Sequence, residues 1–413
     1  MKKKLLSLVL ALCLLAASSS FALAETEITF WTGLSGALDE SLQKIVADFN
    51  ASQDEYVVTA EYQGSYYDIA AKIQAAVISG DEPDIVQMEC TRVIMFAEYE
   101  IFEELTDELA EYGIDRSQFY DGFLADCDWG EGLYAIPFNR STPMFYYNKT
   151  LFDELGLEVP TTWEEMHETA KAIAIPGERW GCEIPIDFWF YECMILQSGG
   201  SFLNEDNTDI GFNNEAGTAP LYFWREMIED GSMKAPPGAE YNAWEAARSD
   251  FAAGTTAMIM TSTGDVSTLR QICDFELGMA FLPANEKHAA CTGGANVAVL
   301  AGHEDKMDGI MAFLKYATSP EVAGWWAANT GYVPTGDAAA QTEVYQEYLS
   351  SFPMGETSLK QMDTAASQAI LTEWNEICST FIQPAIQRTI EQADYTPEQA
   401  VQDISDQVRN LLG

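Results

Sequence analysis

A set of short stretches in this chain pairs glycines and small hydroxyl residues with aromatics or amides. They are residues 31–36 after Phe30, Gly64-Ser65-Tyr66-Tyr67, Asn139-Arg140-Ser141-Thr142-Pro143, Thr261-Ser262-Thr263-Gly264, Gly293-Gly294-Ala295-Asn296 and Thr330-Gly331-Tyr332-Val333-Pro334. The chemistry they suit is recognition. Glycine lets backbone amides approach a ligand, and hydroxyls bond it from either direction. Faces such as those of Trp31, Tyr67, Trp129 and Trp189 stack on the apolar patches of sugars or enclose a cation. Taken singly each stretch reads as an ordinary turn, but each follows a predicted strand, and their joint placement marks a polar-ligand cleft.

Signatures of bond-making chemistry are missing. The chain has no GxSxG elbow, no HExxH and no phosphate-cradling GxxxxGK[ST]. His167, His288 and His303 are scattered without zinc-ligand spacing, so neither a metal nor a cofactor is expected. The 65 acidic residues guarantee chance carboxylate pairs and make such pairs uninformative. A secreted glycoside or phosphodiester hydrolase is therefore the rival from another class. The run Asn204-Glu205-Asp206-Asn207-Thr208-Asp209 places oxygens at alternate positions as a calcium loop does, but it lacks the turn glycine and reads as a polar turn.

The elements that must position a cleft come next. Met1-Lys2-Lys3-Lys4, an apolar run over 5–17 and a close on Ala22-Leu23-Ala24 form a secretory leader over 1–24, cleaved near Ala24. That places the protein in the periplasm or outside the cell, free of membrane insertion. The formal charge is −44 from 21 basic and 65 acidic residues, and loss of the three leader lysines makes it more negative still. Nucleic acid and anionic membrane surfaces are thereby excluded as partners. Processing leaves seven cysteines, of which Cys182 with Cys193, or Cys273 with Cys291, are candidates to bridge.

The length calls for two lobes. Ile28-Thr29-Phe30-Trp31-Thr32, Val57-Val58-Thr59-Ala60 and Asp84-Ile85-Val86-Gln87-Met88 read as strands. They alternate with helices carrying Leu38, Leu42, Ile45, Val46 and Phe49, and then spanning Tyr66–Ser79. This is the βαβ pattern of a parallel α/β sheet, with its ligand site at the carboxyl ends of the strands. Thr162-Trp163-Glu164-Glu165 and Thr396-Pro397-Glu398-Gln399 read as capped helix starts, the latter opening a helix with Val401, Ile404, Val408 and Leu411 inward. One lobe is expected over 25–138 with 297–335, the other over 139–296 with 336–413.

Phe30-Trp31 with Gly33 and Gly36, Tyr62 with Gly64 and Tyr66, and Pro83-Asp84-Ile85-Val86-Gln87 form an ordered series with Pro137-Phe138-Asn139-x-Ser141-Thr142-Pro143-x-x-Tyr146-Tyr147-Asn148-Lys149. It continues through Pro160-x-Thr162-Trp163, Phe251-x-x-Gly254-x-x-Ala257-Met258, Gly293-Gly294-Ala295, Pro320-Glu321 with Trp326, and Thr330-Gly331-Tyr332-x-Pro334. In that series the chain resembles the family 1 extracellular solute-binding proteins of ABC importers, and within them the members that take glycerol-3-phosphate.

The resemblance implies a type II periplasmic-binding fold whose two α/β lobes close on ligand by hinge crossovers. It implies no enzymatic activity, a small polar solute, an ABC permease as partner, and a monomer. The solute it points to is glycerol-3-phosphate or a glycerophosphodiester, with an oligosaccharide as the alternative. Ligand contacts are implied at Tyr66, Glu89, Ser141, Ser262, Thr263, Gly294 and Tyr332, with Trp31 among the aromatics. The phosphate-binding arginine of those members has no counterpart between Ala366 and Gln383. Arg140 and Arg92 are the arginines able to clamp a phosphate in its place.

Overall fold

The structure is a computed structural model that describes residues 25–235 and 242–413. The expected leader and its cleavage point lie outside the described residues. Strand β1 (Thr26–Thr32) turns Ile28, Phe30 and Thr32 inward. Helix α1 (Ala37–Ser52) lays Leu42, Ile45, Val46 and Phe49 over it, the stripe anticipated from their spacing. Strand β2 (Tyr56–Tyr62) then returns parallel to β1, from Thr26 opposite Tyr56 to Thr32 opposite Tyr62. Helix α2 (Tyr66–Ser79) opens on a capping box in which the Ser65 hydroxyl accepts from Asp68 N while the Asp68 carboxylate accepts from Ser65 N. Strand β3 (Ile85–Glu89) pairs parallel with β1.

After a small hairpin of β4 (Asp128–Trp129) and β5 (Gly132–Leu133), the chain enters β6 (Ile136–Ser141), passes Thr142, and continues as β7 (Pro143–Asn148). The second sheet and the helices around it come from β7, α3 (Trp163–Ile173), β8 (Trp180–Glu183), α4 (Phe188–Gln197), α5 (Glu215–Glu229), α6 (Asn242–Ala252), β9 (Thr256–Ser262) and β10 (Leu277–Ala280). Its strand order is β10-β7-β9-β8. The chain returns through β11 (Ala290–Cys291) and Thr292 into β12 (Gly293–Val299), which lies antiparallel between β3 and β6. The first sheet is thus β2-β1-β3-β12-β6. Helices α7 (Met307–Ala317) and α8 (Pro320–Thr330) cover it. The pair β11 and β13 (Ala365–Ala366), then α9 (Pro397–Leu412), complete the chain.

The two largest hydrophobic clusters among the described residues sit on the two sheets. Phe30, Ile85, Val297 and Phe313 belong to one, and Phe145, Met166, Trp224, Ile404 and Val408 to the other. A fully buried side chain of this size contributes about 1.5–3 kcal/mol, so α9 is held to the second core chiefly by its apolar stripe. The segment 139–143 is extended strand where a ligand loop was expected. Its backbone stays paired as far as Ser141 opposite Gly293, and Pro143 pairs with Ser262. The chain therefore changes sheet at Thr142 and again at Thr292.

All seven described cysteines are free thiols, so neither Cys182–Cys193 nor Cys273–Cys291 is bridged. In the 204–209 turn, Asn204 Oδ1 accepts from Thr208 N and Asp209 N, and the Asp209 carboxylate bonds Ser405 and Arg409 of α9. Its oxygens are tied to the protein as an anchor for that helix. Among the described residues, no group of three or more His, Cys, Asp or Glu is placed to hold a metal ion.

Candidate ligand-binding cleft

The carboxyl ends of β1, β3, β6 and β9 and the start of β12 converge on a cleft between the sheets. It encloses about 1120 Å3 of empty space, part of it open to solvent. The wall from the first sheet carries Gly33, Tyr66, Tyr67, Glu89, Arg92, Ser141, Gly294 and Tyr332. Facing it from the second are Asp187, Phe188, Trp189, Trp244, Arg248, Ser262, Asp265 and Gln368. Of the residues implied by the resemblance, Tyr66, Glu89, Ser141, Ser262, Gly294 and Tyr332 are brought together here.

Close packing explains the glycine pair at the start of β12. A Cβ on Gly293 would lie 2.5 Å from the Trp189 ring. Gly294 has φ +87°, which L side chains disfavour, and a Cβ there would meet Asn139 O at 2.1 Å. Gly293 thus lets an indole lie against the crossover, and Trp189 Nε1 completes the contact by donating to Thr292 O at 3.2 Å.

Three implied residues lie elsewhere. Trp31 alternates to the other face of β1 from Phe30 and Thr32 and packs on the first core. Thr263 is buried, its hydroxyl 3.4 Å from Thr142 N. Arg140 is the larger correction. Its guanidinium is 0% exposed and bonds both carboxylate oxygens of Asp126 at 2.6 Å, with Gly293 O, Phe123 O and Asn296 Oδ1 taking further donors. Burial opposes its charge, but Asp126 outweighs that and raises its pKa. With its donors spent inside the first lobe, Arg140 is a structural post rather than a phosphate clamp.

Arg92 takes the position that Arg140 does not. It is 8% exposed, lines the cleft, and lies 4.6 Å over the Tyr67 ring. Glu89 is its ionic neighbour, with Oε2 3.7 Å from Arg92 Nε, which is too long for a hydrogen bond, and Nε has no hydrogen-bond partner. Glu89 itself caps the short helix that carries Arg92, accepting from Thr91. A buried guanidinium with unspent donors is costly to leave unmet.

The opposite wall is aromatic and charged. Trp189 and Trp244 stack with centroids 5.9 Å apart. Asp187 caps α4 by accepting from the backbone N of Trp189 at 2.9 Å and holds the Trp244 ring by accepting from its Nε1 at 3.0 Å. Burial pushes its carboxyl up to about 6 against the pull of those bonds. Arg248 faces Asp265 at 3.2 Å to each oxygen. Trp244 and Arg248 sit four apart on α6 and so share a helix face, a spacing readable from the sequence. Gln368, which donates to Thr292 O, follows no comparable pattern.

A family model for bacterial extracellular solute-binding proteins matches residues 44–352. The chain belongs to that family. This solute-binding protein is 29% identical over 370 residues to the sn-glycerol-3-phosphate-binding periplasmic protein UgpB of Yersinia pestis, covering 83% of this chain and 82% of that one. UgpB of Salmonella typhimurium is 29% identical over 379 residues, covering 86% and 84%. Among solved structures, UgpB of Mycobacterium tuberculosis in complex with glycerophosphocholine superposes with a TM-score of 0.84 at 23% identity, over 94% of this chain and 99% of that one. The GacH receptor of Streptomyces glaucescens, solved unliganded and with acarbose, gives 0.85 at 20% identity, over 94% and 98%.

The solute-binding protein therefore has the two-lobed periplasmic-binding fold of α/β type that the resemblance implied. It is the substrate-binding component of an ABC importer, acting in the periplasm or outside the cell with a small solute and a membrane permease as partners. Among the described residues, no helix is long and apolar enough to cross a membrane.

Proposed function

We propose that the cleft captures a phosphate-bearing glycerol derivative, a glycerophosphodiester or glycerol-3-phosphate, and releases it unchanged to the permease. The observation that carries this reading is Arg92, a nearly buried guanidinium in the cleft wall whose Nε has no hydrogen-bond partner. A phosphate oxygen is the natural partner for such a group. The UgpB relatives, named for glycerol-3-phosphate, and the neighbour solved with glycerophosphocholine support the same class. Asp187, Glu89 and Asp265 stand in the same cleft, so a singly charged diester meets less repulsion than a dianion.

Binding begins on one wall and closure about Thr142 and Thr292 completes the shell, driven only by contacts that the closed state adds. The protein acts as a monomer, matured near Ala24, and performs no covalent step. A neutral oligosaccharide is the second reading, favoured by the Trp189–Trp244 platform.

A calorimetric panel of glycerol-3-phosphate, glycerophosphocholine and maltose tests both readings, with phosphorus NMR to follow the fate of the ligand. At 100 times its dissociation constant the true ligand adds about 2.7 kcal/mol of stability. The proposal expects phosphate compounds to bind and be recovered intact. Binding of maltose alone would transfer the assignment to the sugar, and turnover of a diester would make the protein a hydrolase.

A further inference from the structure

The three carboxylates that line the cleft, Glu89, Asp187 and Asp265, are already engaged by the protein, each of their oxygens accepting at least one hydrogen bond. Glu89 Oε1 takes Cys90 Sγ at 3.3 Å and Thr91 N at 3.2 Å, and Oε2 takes the Thr91 hydroxyl. Asp187 takes Trp189 N on one oxygen and Trp244 Nε1 on the other. Asp265 takes Arg248 on both, with the Thr261 hydroxyl besides. Gln368 differs. It lines the same cleft and is 8% exposed, yet its Oε1 has no hydrogen-bond partner among the described residues.

The neighbours of Gln368 fix which way its amide points, a choice that the like shapes of O and NH2 leave to the hydrogen bonds. A backbone carbonyl only accepts, so the group facing Thr292 O at 3.3 Å is Nε2. Cys90 agrees with that assignment, because its thiol proton is directed at Glu89 and the sulfur is left to accept from Gln368 Nε2 at 3.7 Å. The backbone nearby is pinned as well. Strand β13 pairs with β11, and Thr292 N donates to Ala366 O at 2.8 Å, two residues before Gln368. With Nε2 committed, Oε1 is presented as an acceptor, and a nearly buried amide oxygen without a donor is costly to leave unmet.

Arg92 belongs to the same corner of the cleft. Its Nε is an unspent donor, Gln368 Oε1 is an unspent acceptor, and both residues adjoin Cys90, one along the chain and the other through space. A phosphate oxygen satisfies the first because it only accepts. The second requires a proton, which an ionised phosphodiester lacks and a hydroxyl carries.

The geometry points to Gln368 as a specificity-determining residue whose Oε1 accepts a hydrogen bond from a glycerol hydroxyl of the solute, in the corner where Arg92 receives the phosphate. The inference rests on the phosphate reading and narrows it, from phosphodiesters in general to those that carry a free hydroxyl close to phosphorus.

The test is titration calorimetry with glycerophosphocholine and with propyl phosphocholine, the same diester stripped of both hydroxyls. It compares wild type, Gln368→Met, which has similar volume and no amide, and Gln368→Glu, which keeps an acceptor. Wild type should bind glycerophosphocholine about 10-fold or more tightly than the propyl ester, the scale of one hydrogen bond to an otherwise unmet group. Gln368→Met should shrink that ratio about 10-fold. Gln368→Glu repels the phosphate of both esters alike and should hold the ratio within about two-fold of wild type.

An amide needed only to brace Thr292 and Cys90 predicts equal losses for the two esters, and an unchanged ratio in Gln368→Met would overturn the inference. A ratio near one in wild type, or one that collapses equally in Gln368→Glu, would overturn it as well. Should Gln368→Met fail to fold, Gln368→Ala carries the same comparison beside the wild-type ratio. If wild type binds neither ester, the phosphate reading and this inference fall together, whereas binding of both with an unmoved ratio removes the inference alone.

Discussion

Arg140 and Arg92 stand within one lobe, both more than nine-tenths buried, and their surroundings could hardly differ more. Around Arg140 each of the three guanidinium nitrogens is hydrogen-bonded, to Asp126, Asn296 or a backbone carbonyl. Around Arg92 there is an aromatic face, a carboxylate at 3.7 Å and open cleft. Burial alone does not distinguish a structural charge from a functional one; the count of unmet donors does. The far end of β3 repeats the first case. Asp84 there is 1% exposed and bonded by Thr29, His303 and Lys306, which hold its carboxyl well below the usual range despite burial.

The comparison is most easily broken at Arg140. Arg140→Ala leaves Asp126 buried without its partner and should destabilise the fold by about 3–5 kcal/mol in urea unfolding. A normally stable variant that has lost its ligand would reverse the roles assigned to the two arginines. Arg92→Gln should do the opposite, weakening glycerophosphocholine binding by about 100-fold, near 2.7 kcal/mol, with maltose and the unfolding midpoint barely moved.

Across the cleft, Trp244→Ala removes a stacking face and a bond to Asp187 and should weaken either ligand about 10-fold by calorimetry. At the remote end of β3, His303→Ala should leave binding intact and cost roughly 1 kcal/mol. The bond to Asp84 raises the His303 pKa, so its charge-linked contribution is fully present below the ordinary pKa and fades as pH rises through the folded value. Unfolding curves should therefore separate wild type and variant most at pH 6 and converge toward pH 8. A gap that widens with pH would contradict the pairing.

Much of the scaffold was legible because local rules sufficed for it. The α2 span, the capping boxes at Thr162 and Thr396 and the inward stripe of α9 follow from neighbours a few residues apart. The cleft residues on β6, β12 and after α8 lie in stretches marked by glycine and hydroxyl placement, whereas Glu89 on β3 entered only through the family resemblance. What escaped depends on distant partners. Whether Arg140 faces solvent or Asp126 is set by packing across 14 residues and a hairpin. Asp187, which the sequence did not single out, caps α4, and Trp244, 57 residues on, turns it into part of the site. The strand across Thr142 read as a loop because its pairing partners lie in two different sheets.

The indole of Trp189 lies against Gly293 and donates to Thr292 O, so a chromophore is bolted to a point where the backbone changes sheet. Any swing of the lobes alters the polarity around that ring at the same moment as ligand arrival. Intrinsic tryptophan emission thereby becomes a built-in optical gauge of occupancy, with no label required. A Trp189→Phe variant should show a smaller emission change on ligand addition, carried by Trp244 in the same wall.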